Sequence, residues 1–201
     1  MSTFQPAGNY YDKYNTRNPI ARRLMRGFLE AFNSLYKMTG ATQAIEVGCG
    51  EGELSMRMAS SGLQVRAFDI AEDAIREARH RAATASLEID FNVCPLEQMR
   101  DTAASPLVVC CEVLEHLDDP NSGLETLEAL SSEWLLLSVP REPIWRALNM
   151  MRGKYIGSLG NTPGHVNHWS RKAFIDFVAS RLAIVEVRSP LPWTMLLCKR
   201  R

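Results

Sequence analysis

The sequence predicts a single α/β domain built on a mostly parallel β-sheet, and three stretches carry this prediction. Residues 44–59 run from an apolar strand pattern through alternating glycines into a helical pattern. Residues 63–70 form a second short strand pattern that contains Asp69 near its end. Residues 107–111 are apolar throughout, which is typical of a parallel strand buried on both faces. This alternation of strands and helices favours helices on both faces of one sheet.

The composition fits one domain with a substantial core. The chain has 201 residues, 46% of them apolar, and 23 basic residues balance 23 acidic residues. The neutral balance gives no overall attraction to nucleic acid and so argues against such a partner. The five cysteines lack metal-type spacing, and we expect reduced thiols in a cytoplasmic protein. We expect neither a membrane span nor a signal peptide, and no feature specifies an oligomeric state.

The glycine-rich stretch after the first strand has the character of a nucleotide-binding turn. Glycines occupy positions 48, 50 and 52, and a helical pattern follows. Glycine permits positive φ and leaves no Cβ between backbone and ligand, while the start of a helix adds unpaired N–H groups. Asp69 comes 21 positions after Gly48, at the end of the second strand, where an acid accepts hydrogen bonds from both ribose hydroxyls. These features together predict an adenosine pocket.

The same motifs resemble those of a known family. The run from Glu46 to Gly52 fits E/D-x-G-x-G-x-G, motif I of the class I S-adenosylmethionine-dependent methyltransferases, rather than the dinucleotide fingerprint G-x-G-x-x-G. Residues 112–117, E-V-L-E-H-L, match a signature common in the small-molecule branch of that family. The resemblance covers roughly residues 40–200. It implies a Rossmann-like seven-stranded sheet, mostly parallel, with the last strand antiparallel and helices on both faces.

The resemblance also implies a cofactor and the residues that bind it. The cofactor is S-adenosyl-L-methionine, and the implied contacts come from Glu46, Gly48, Cys49, Gly50, Asp69, Ile70, Leu96, Cys111 and Glu112. Family members usually carry an Asp shortly after the third strand, where it contacts the adenine amine. This chain has C-P-L-E at 94–97 instead, so we expect adenine recognition from the backbone of 94–96 or from Glu97.

The chain divides into an N-terminal segment with a cap helix, residues 1–40, and a methyltransferase domain, residues 41–201. Asn18 as cap, Pro19 at the first position and Gly40 as stop predict the helix. In the family such a segment often closes over the cofactor; the alternative is a helix that only covers a sheet edge. The other predicted elements are helices at 71–85, 120–130 and 170–181, strands at 88–93, 107–111 and 134–139, and a closing hairpin of 182–187 with 193–198.

Residues 141–169 leave the sheet at the carboxyl end of the fifth strand, where ligands bind in such folds. They are rich in glycine and proline, and we expect a long irregular insertion on the substrate side. The aromatic and cationic side chains in it suit a flat, anionic small molecule. The alternative is that Trp145 and the methionines only pack a covering helix. Candidate acceptor-binding residues are Tyr14, Arg141, Trp145, Tyr155, His165 and His168, with Arg146 and Lys154 beside them.

His116 is the candidate catalytic base, with Glu112 and His165 beside it in the candidate catalytic set. It follows the fourth strand closely, and the ordinary pKa of imidazole suits proton removal near neutrality. The alternative is that His116 only orders its loop through a hydrogen bond.

A metal site is a further alternative, although the leading expectation has none. If residues 112–116 begin a helix, Glu112, Glu115 and His116 share a face, and His165 or His168 could complete a divalent-cation site. The arrangement resembles the small-RNA 3′-terminal 2′-O-methyltransferases, but the same run recurs in metal-free methyltransferases.

The sequence therefore predicts an S-adenosylmethionine-dependent methyltransferase that acts on an O or N atom of a small-molecule acceptor. One alternative is a metal-dependent RNA 2′-O-methyltransferase, whose basic groove would come from Arg22, Arg23, Arg26, Arg146, Arg152 and Lys154. The other is a catalytically silent, cofactor-binding relative that acts as a partner subunit.

Overall fold

A computed structural model describes residues 18–151, 153 and 155–201, with residue 156 described by its backbone alone. Seven strands form one sheet in the order β3-β2-β1-β4-β5-β7-β6. The strands are β1 Gln43–Val47, β2 Gln64–Asp69, β3 Asp90–Val93, β4 Ser105–Cys111, β5 Ser131–Pro140, β6 Ala183–Arg188 and β7 Trp193–Lys199. The helices are α1 Pro19–Met38, α2 Glu53–Ser60, α3 Glu72–Thr84, α4 Pro120–Leu130, α5 Ile144–Met151 and α6 Arg171–Ala179.

The strand directions confirm the predicted fold class. Strand β1 pairs in parallel with β2 and β4, β2 with β3, and β4 with β5, whereas β7 is antiparallel to both β5 and β6. The strand order reverses between β1 and β4. The crevice at the carboxyl ends of these two strands is therefore the place where this architecture binds ligands.

Helices cover both faces of the sheet. Buried side chains of α1, α2 and α3 pack in one core cluster, and those of α4 and α6 pack in a second one. None of the described helices is long and apolar enough to cross a membrane.

Helix α1 begins as its sequence predicts. The Asn18 side chain accepts hydrogen bonds from the backbone N–H groups of Ile20 and Ala21, which would otherwise lack partners at the helix start. Its apolar stripe, which includes Phe28 and Phe32, is buried against the sheet. Helix α1 therefore covers part of the sheet. Residues 1–17, including Tyr14, lie outside the described residues.

The insertion at 141–169 is more regular than predicted. It contains α5 and a short 3₁₀ helix, Ile156–Ser158, where the sequence predicted an irregular segment. The prediction was wrong because the glycines and prolines lie around α5 rather than within it: Pro143 precedes the helix, and Gly153 follows it with a positive φ of +67°. The helix does not bury its methionines, since Met150 and Met151 are exposed.

Candidate active site

The glycine loop, residues 48–52, follows β1 at the switch point of the sheet. Gly48 has a φ of +74°, and a Cβ there would lie 2.1 Å from Cγ2 of Val113. Gly52 has a φ of +79°, and its Cβ would lie 2.9 Å from Cζ of Phe91. Gly50, with a φ of +51°, would meet nothing within 4 Å. Packing therefore demands glycine at 48 and 52, whereas position 50 presents its backbone to open space.

Asp69 stands at the end of β2, directly beside the loop. Its Oδ2 accepts a hydrogen bond from the Gly50 backbone N–H at 2.7 Å, and its Oδ1 accepts one from the Ala71 N–H at 2.8 Å. Each carboxylate oxygen has a further lone pair that can accept from a ligand hydroxyl. The carboxylate thus holds the loop in place and remains able to bind a diol.

Glu46 lies beneath the loop, almost fully buried. The Ser55 hydroxyl donates a hydrogen bond to its Oε2 and so connects β1 to α2. Burial raises the pKa of the Glu46 carboxyl from 4.5 to about 8, against the Ser55 hydrogen bond, which lowers it; the charge of Asp69 adds to the rise. Glu46 thus links β1 to α2 at the glycine loop.

Of the other residues that the resemblance implies for cofactor binding, one is exposed and three are buried. Ile70 is exposed next to Asp69, whereas Cys49, Leu96 and Cys111 are buried. Burial raises the pKa of the Cys49 thiol well above its ordinary value, so this thiol stays protonated.

Glu112 does not begin a helix. Its φ is +63°, and the turn that follows is a short 3₁₀ helix, Leu114–His116. Its Oε1 accepts a hydrogen bond from the Ser138 hydroxyl at 3.0 Å, and its Oε2 accepts one from the Trp193 indole N–H at 2.6 Å. The helical face considered for Glu112, Glu115 and His116 in the metal alternative is therefore not formed, because residue 112 adopts a left-handed conformation and its carboxylate is bound by β5 and β7.

His116 and His165 are neighbours, although 49 positions separate them. Their ring centroids lie 4.8 Å apart at an interplanar angle of 87°. His116 Nδ1 lies 2.9 Å from the Gly164 carbonyl oxygen. Because a carbonyl can only accept, Nδ1 carries the hydrogen in this contact and Nε2 is the basic nitrogen.

Glu115 joins these two histidines. One ligand atom from each of the three residues lies within 4.8 Å of the other two. His168 belongs elsewhere, with its Nδ1 3.9 Å from Oε1 of Glu142. Of the two histidines considered from the sequence, the fold thus brings His165 to the end of β4.

An aromatic wall runs from this histidine pair to α1. The Trp145 ring is stacked against His165 at a centroid distance of 6.0 Å, and Trp193 follows at 5.8 Å from Trp145. Phe28 of α1 lies 5.0 Å from Trp193. The Trp145 indole N–H donates to Oγ1 of Thr162 at 2.9 Å, which fixes the ring within the insertion. Sequence reasoning missed Trp193, whose only signal was a large aromatic at the start of a strand.

The remaining acceptor candidates are more scattered. The backbone of Arg141 bridges to Trp169, so the two ends of the insertion meet. Arg146 Nε donates to the Leu159 carbonyl at 3.0 Å and therefore braces the insertion. Tyr155 is exposed, and Arg152 and Lys154 lie outside the described residues.

This strand order, with a glycine loop and an acidic strand end at the switch point, defines the Rossmann-like methyltransferase class. Residues 44–131 match a family model described as a methyltransferase domain. This region of the chain is therefore similar to methyltransferase domains, and it lies on a Rossmann-like fold.

Individual relatives agree with this assignment. A ubiquinone biosynthesis O-methyltransferase of Xanthomonas oryzae pv. oryzae (strain PXO99A) is 31% identical over 158 residues, which cover 76% of this chain and 65% of the relative. The match thus spans slightly less than two thirds of that protein.

Solved structures share the fold at low identity. The magnesium protoporphyrin IX methyltransferase of Synechocystis PCC 6803, solved with bound SAH, has a TM-score of 0.72 at 20% identity and covers 94% of this chain and 90% of its own. The N-methyltransferase NodS of Bradyrhizobium japonicum WM9 has a TM-score of 0.64 at 17% identity, with 87% and 97% covered.

Proposed function

We propose that this protein is an S-adenosylmethionine-dependent methyltransferase that methylates an O or N atom of a small-molecule acceptor, with a hydroxyl oxygen favoured. The observation that carries the proposal is the meeting of an open Gly50 backbone with the Asp69 carboxylate at the switch point. The O-methyltransferase relative supports the choice of oxygen.

The residues around the glycine loop fit the cofactor. Bound S-adenosylmethionine supplies a methyl group already activated by its sulfonium. The open side of Gly50 accommodates a ligand against bare backbone, and Asp69 accepts from the two ribose hydroxyls.

Within residues 94–96, one backbone N–H group remains as a candidate donor to adenine. The Cys94 N–H donates to the Asp69 carbonyl at 2.9 Å, and Pro95 has no N–H. Leu96, the first residue of a 3₁₀ helix, is the remaining backbone candidate, with Glu97 next to it. The Leu96 N–H can donate to a ring nitrogen of adenine, whereas the adenine amine is itself a donor, so the Glu97 carboxylate is the group that takes the place of the Asp that family members usually carry after the third strand.

The acceptor half of the candidate site, which is the part around His116, His165 and Trp145, suits a flat ring that bears a hydroxyl group. Trp145, the half-buried member of the aromatic wall, offers stacking surface, with the buried rings of His165 and Trp193 behind it. Nε2 of His116 is the nitrogen left to accept a hydroxyl proton. His116 removes that proton as the methyl group is transferred, while the insertion excludes water.

The alternatives have less support. The silent-subunit alternative has to explain an intact loop and an oriented Asp69. The RNA alternative needs a basic groove, yet Arg146, one of its expected members, is bound to the Leu159 carbonyl within the insertion. Placement in the cytoplasm is supported by the five cysteines, all of which are free.

The test is a methyl-transfer assay with purified protein, S-adenosylmethionine and a panel of small hydroxylated and aminated aromatic compounds. Formation of S-adenosylhomocysteine that depends on an acceptor is the expected result. His116→Ala is expected to lower kcat by about 10²-fold or more, because general-base catalysis is of that size.

His80→Ala is the matched control, since His80 is exposed on α3 away from the switch point. If S-adenosylhomocysteine binds but no compound is methylated, the silent-subunit alternative replaces the proposal.

A further inference from the structure

We propose that Arg81 of α3 is a positioning residue for the cofactor. Its guanidinium holds the outer part of the glycine loop, residues 48–52, in the conformation that binds S-adenosylmethionine. The ligand named here rests on the proposed function, whereas the contacts between Arg81 and the loop do not.

Arg81 reaches the loop with both terminal nitrogens of its guanidinium. Nη1 donates to the backbone carbonyl of Glu51 at 3.1 Å, and Nη2 donates to Oε2 of Glu53 at 2.7 Å. Glu51 belongs to the glycine loop, and Glu53 is the first residue of α2. A single side chain of α3 therefore bridges the junction between the loop and the helix that follows it.

The same face of α3 packs against the loop one turn earlier. Ala78 lies three positions before Arg81, a spacing that places both side chains on one face of the helix. A Cβ on Gly52 would lie 3.1 Å from Cβ of Ala78, which is fully buried. Helix α3 thus contacts the loop region at two points, an apolar one at Gly52 and a charged one at Glu51 and Glu53.

The Glu53 carboxylate is shared between two arginines. Its Oε1 accepts a hydrogen bond from Nε of Arg57 at 3.0 Å, and Arg81 binds the other oxygen. The side chains of Arg81 and Glu53 are only 23% and 16% exposed, so salt screens this ion pair less than a pair on the open surface. Because both carboxylate oxygens are bound, the ion pair fixes the start of α2 against α3.

Arg81 and Asp69 hold neighbouring residues of one turn. Residues 49–52 form a turn closed by a backbone hydrogen bond of 2.9 Å, with Gly50 and Glu51 at its centre. Asp69 accepts from the N–H of Gly50, and Arg81 donates to the carbonyl of Glu51. A ligand against the open backbone of Gly50 needs this turn in one conformation, and a turn that is already fixed loses less conformational entropy on binding. Arg81 thus acts on the cofactor through the loop.

Arg81→Met tests this role, because it keeps an unbranched side chain but removes the charge and every donor. S-adenosylhomocysteine affinity is expected to fall about tenfold in calorimetric titration, which is the size of one hydrogen bond to a charged group. Arg81→Lys keeps the charge but lacks the planar fork that binds two acceptors, so its affinity is expected to lie between those of the wild type and Arg81→Met. Circular dichroism checks folding, and if Arg81→Met does not fold, Arg81→Lys decides.

Arg181→Met is the matched control. Arg181 also binds two acceptors, Oε1 of Glu125 at 2.8 Å and Oε2 of Glu128 at 3.1 Å, but both belong to α4, whose buried side chains pack in the other core cluster. We expect this variant to lose stability in urea unfolding and to keep the S-adenosylhomocysteine affinity of the wild type.

Hydrogen exchange of the ligand-free protein tests the loop itself. Residues 49–56 are expected to exchange up to about tenfold faster in Arg81→Met than in the wild type, since local opening no longer breaks the two contacts of Arg81. The same residues are expected to exchange at the wild-type rate in Arg181→Met.

Wild-type exchange of the loop in Arg81→Met, or an S-adenosylhomocysteine affinity within about twofold of the wild type, overturns the role of Arg81 and leaves the proposed function standing. Equal losses of affinity in Arg81→Met and Arg181→Met also overturn it, because both variants would then act through the stability of the whole domain. Absence of S-adenosylhomocysteine binding by the wild type contradicts the proposed function itself, and the role of Arg81 falls with it.

Discussion

The two halves of the candidate site are built in different ways. In the cofactor half, the partners are near in sequence: Ser55 and Glu46 are nine residues apart, and Gly50 and Asp69 are 19 apart. In the acceptor half, His116 meets Gly164 across 48 residues, and Glu112 meets Trp193 across 81. The first half is therefore a local motif, whereas the second exists only once the sheet and the insertion have assembled.

The largest effect on ligand binding is expected from Asp69→Ala in the cofactor half. The variant loses the acceptor for two ribose hydroxyls and the anchor of the Gly50 N–H. Hydrogen bonds to charged groups contribute about 1.5–3 kcal/mol each, so S-adenosylhomocysteine affinity is expected to fall about a hundredfold or more in calorimetric titration. Asp73→Ala, at an exposed position of α3, is the control. Unchanged affinity in Asp69→Ala would contradict the adenosine pocket.

Two glycine substitutions separate packing from ligand contact within the same loop. Gly48→Ala places a methyl group against Val113 at a positive φ, and we expect the free energy of unfolding to fall by about 2–3 kcal/mol. Gly50→Ala meets open space, so stability should fall by only about 1 kcal/mol while cofactor affinity falls about tenfold. Urea unfolding and calorimetry measure the two quantities. Wild-type affinity in Gly50→Ala would show that the ligand does not lie against this residue.

Trp193→Phe tests the acceptor half alone. It keeps an aromatic ring but removes the donor to Glu112 Oε2, a loss of about 1–3 kcal/mol in stability for a partly buried carboxylate. We expect KM for the acceptor to rise and S-adenosylhomocysteine affinity to stay within twofold. Trp134→Phe, whose ring contacts Lys199 at the other end of β7, serves as the control. A large loss of cofactor affinity in Trp193→Phe would mean that the two halves are not separate.

The smallest effect on S-adenosylhomocysteine binding is expected from Glu46→Gln. This substitution instead changes how the free energy of unfolding depends on pH. The folded pKa of about 8 exceeds the ordinary value of 4.5, so the folded state holds this proton more tightly than the unfolded state does. The resulting stabilisation is complete below pH 4.5 and is lost as the pH rises through about 8. Urea unfolding between these pH values should show a decline that Glu46→Gln reduces. Identical pH profiles would refute this assignment of the proton.

The same contrast explains which predictions succeeded. The Asn18 cap of α1 and the helix from Pro120 to Leu130 followed from patterns that span a few residues each, and the seven-stranded sheet was implied by the family resemblance of such local motifs. The helix on which the metal alternative depended, at 112–116, does not form: Glu112 has a positive φ, and its carboxylate is bound by the tertiary partners Ser138 and Trp193.

The acceptor pocket shows the limit most clearly. His165 and His168 were both candidates for the acceptor pocket, and the loop directs the first to His116 and the second to Glu142. That choice depends on hydrogen bonds such as those from Val166 and Asn167 to the Glu115 carbonyl, which join stretches about 50 residues apart. No local pattern encodes contacts of this range, so the roles of the acceptor residues stay predictions.

The most direct test of the central claim is calorimetric titration of the purified protein with S-adenosylhomocysteine, first with EDTA and then with Zn²⁺ or Mn²⁺. The account predicts one binding event per chain in the micromolar range, with equal affinity in all conditions, because the candidate metal cluster found among the described residues, Glu115, His116 and His165, lies on the acceptor side. No binding in any condition would contradict the assignment of the glycine loop and Asp69 as a cofactor cleft.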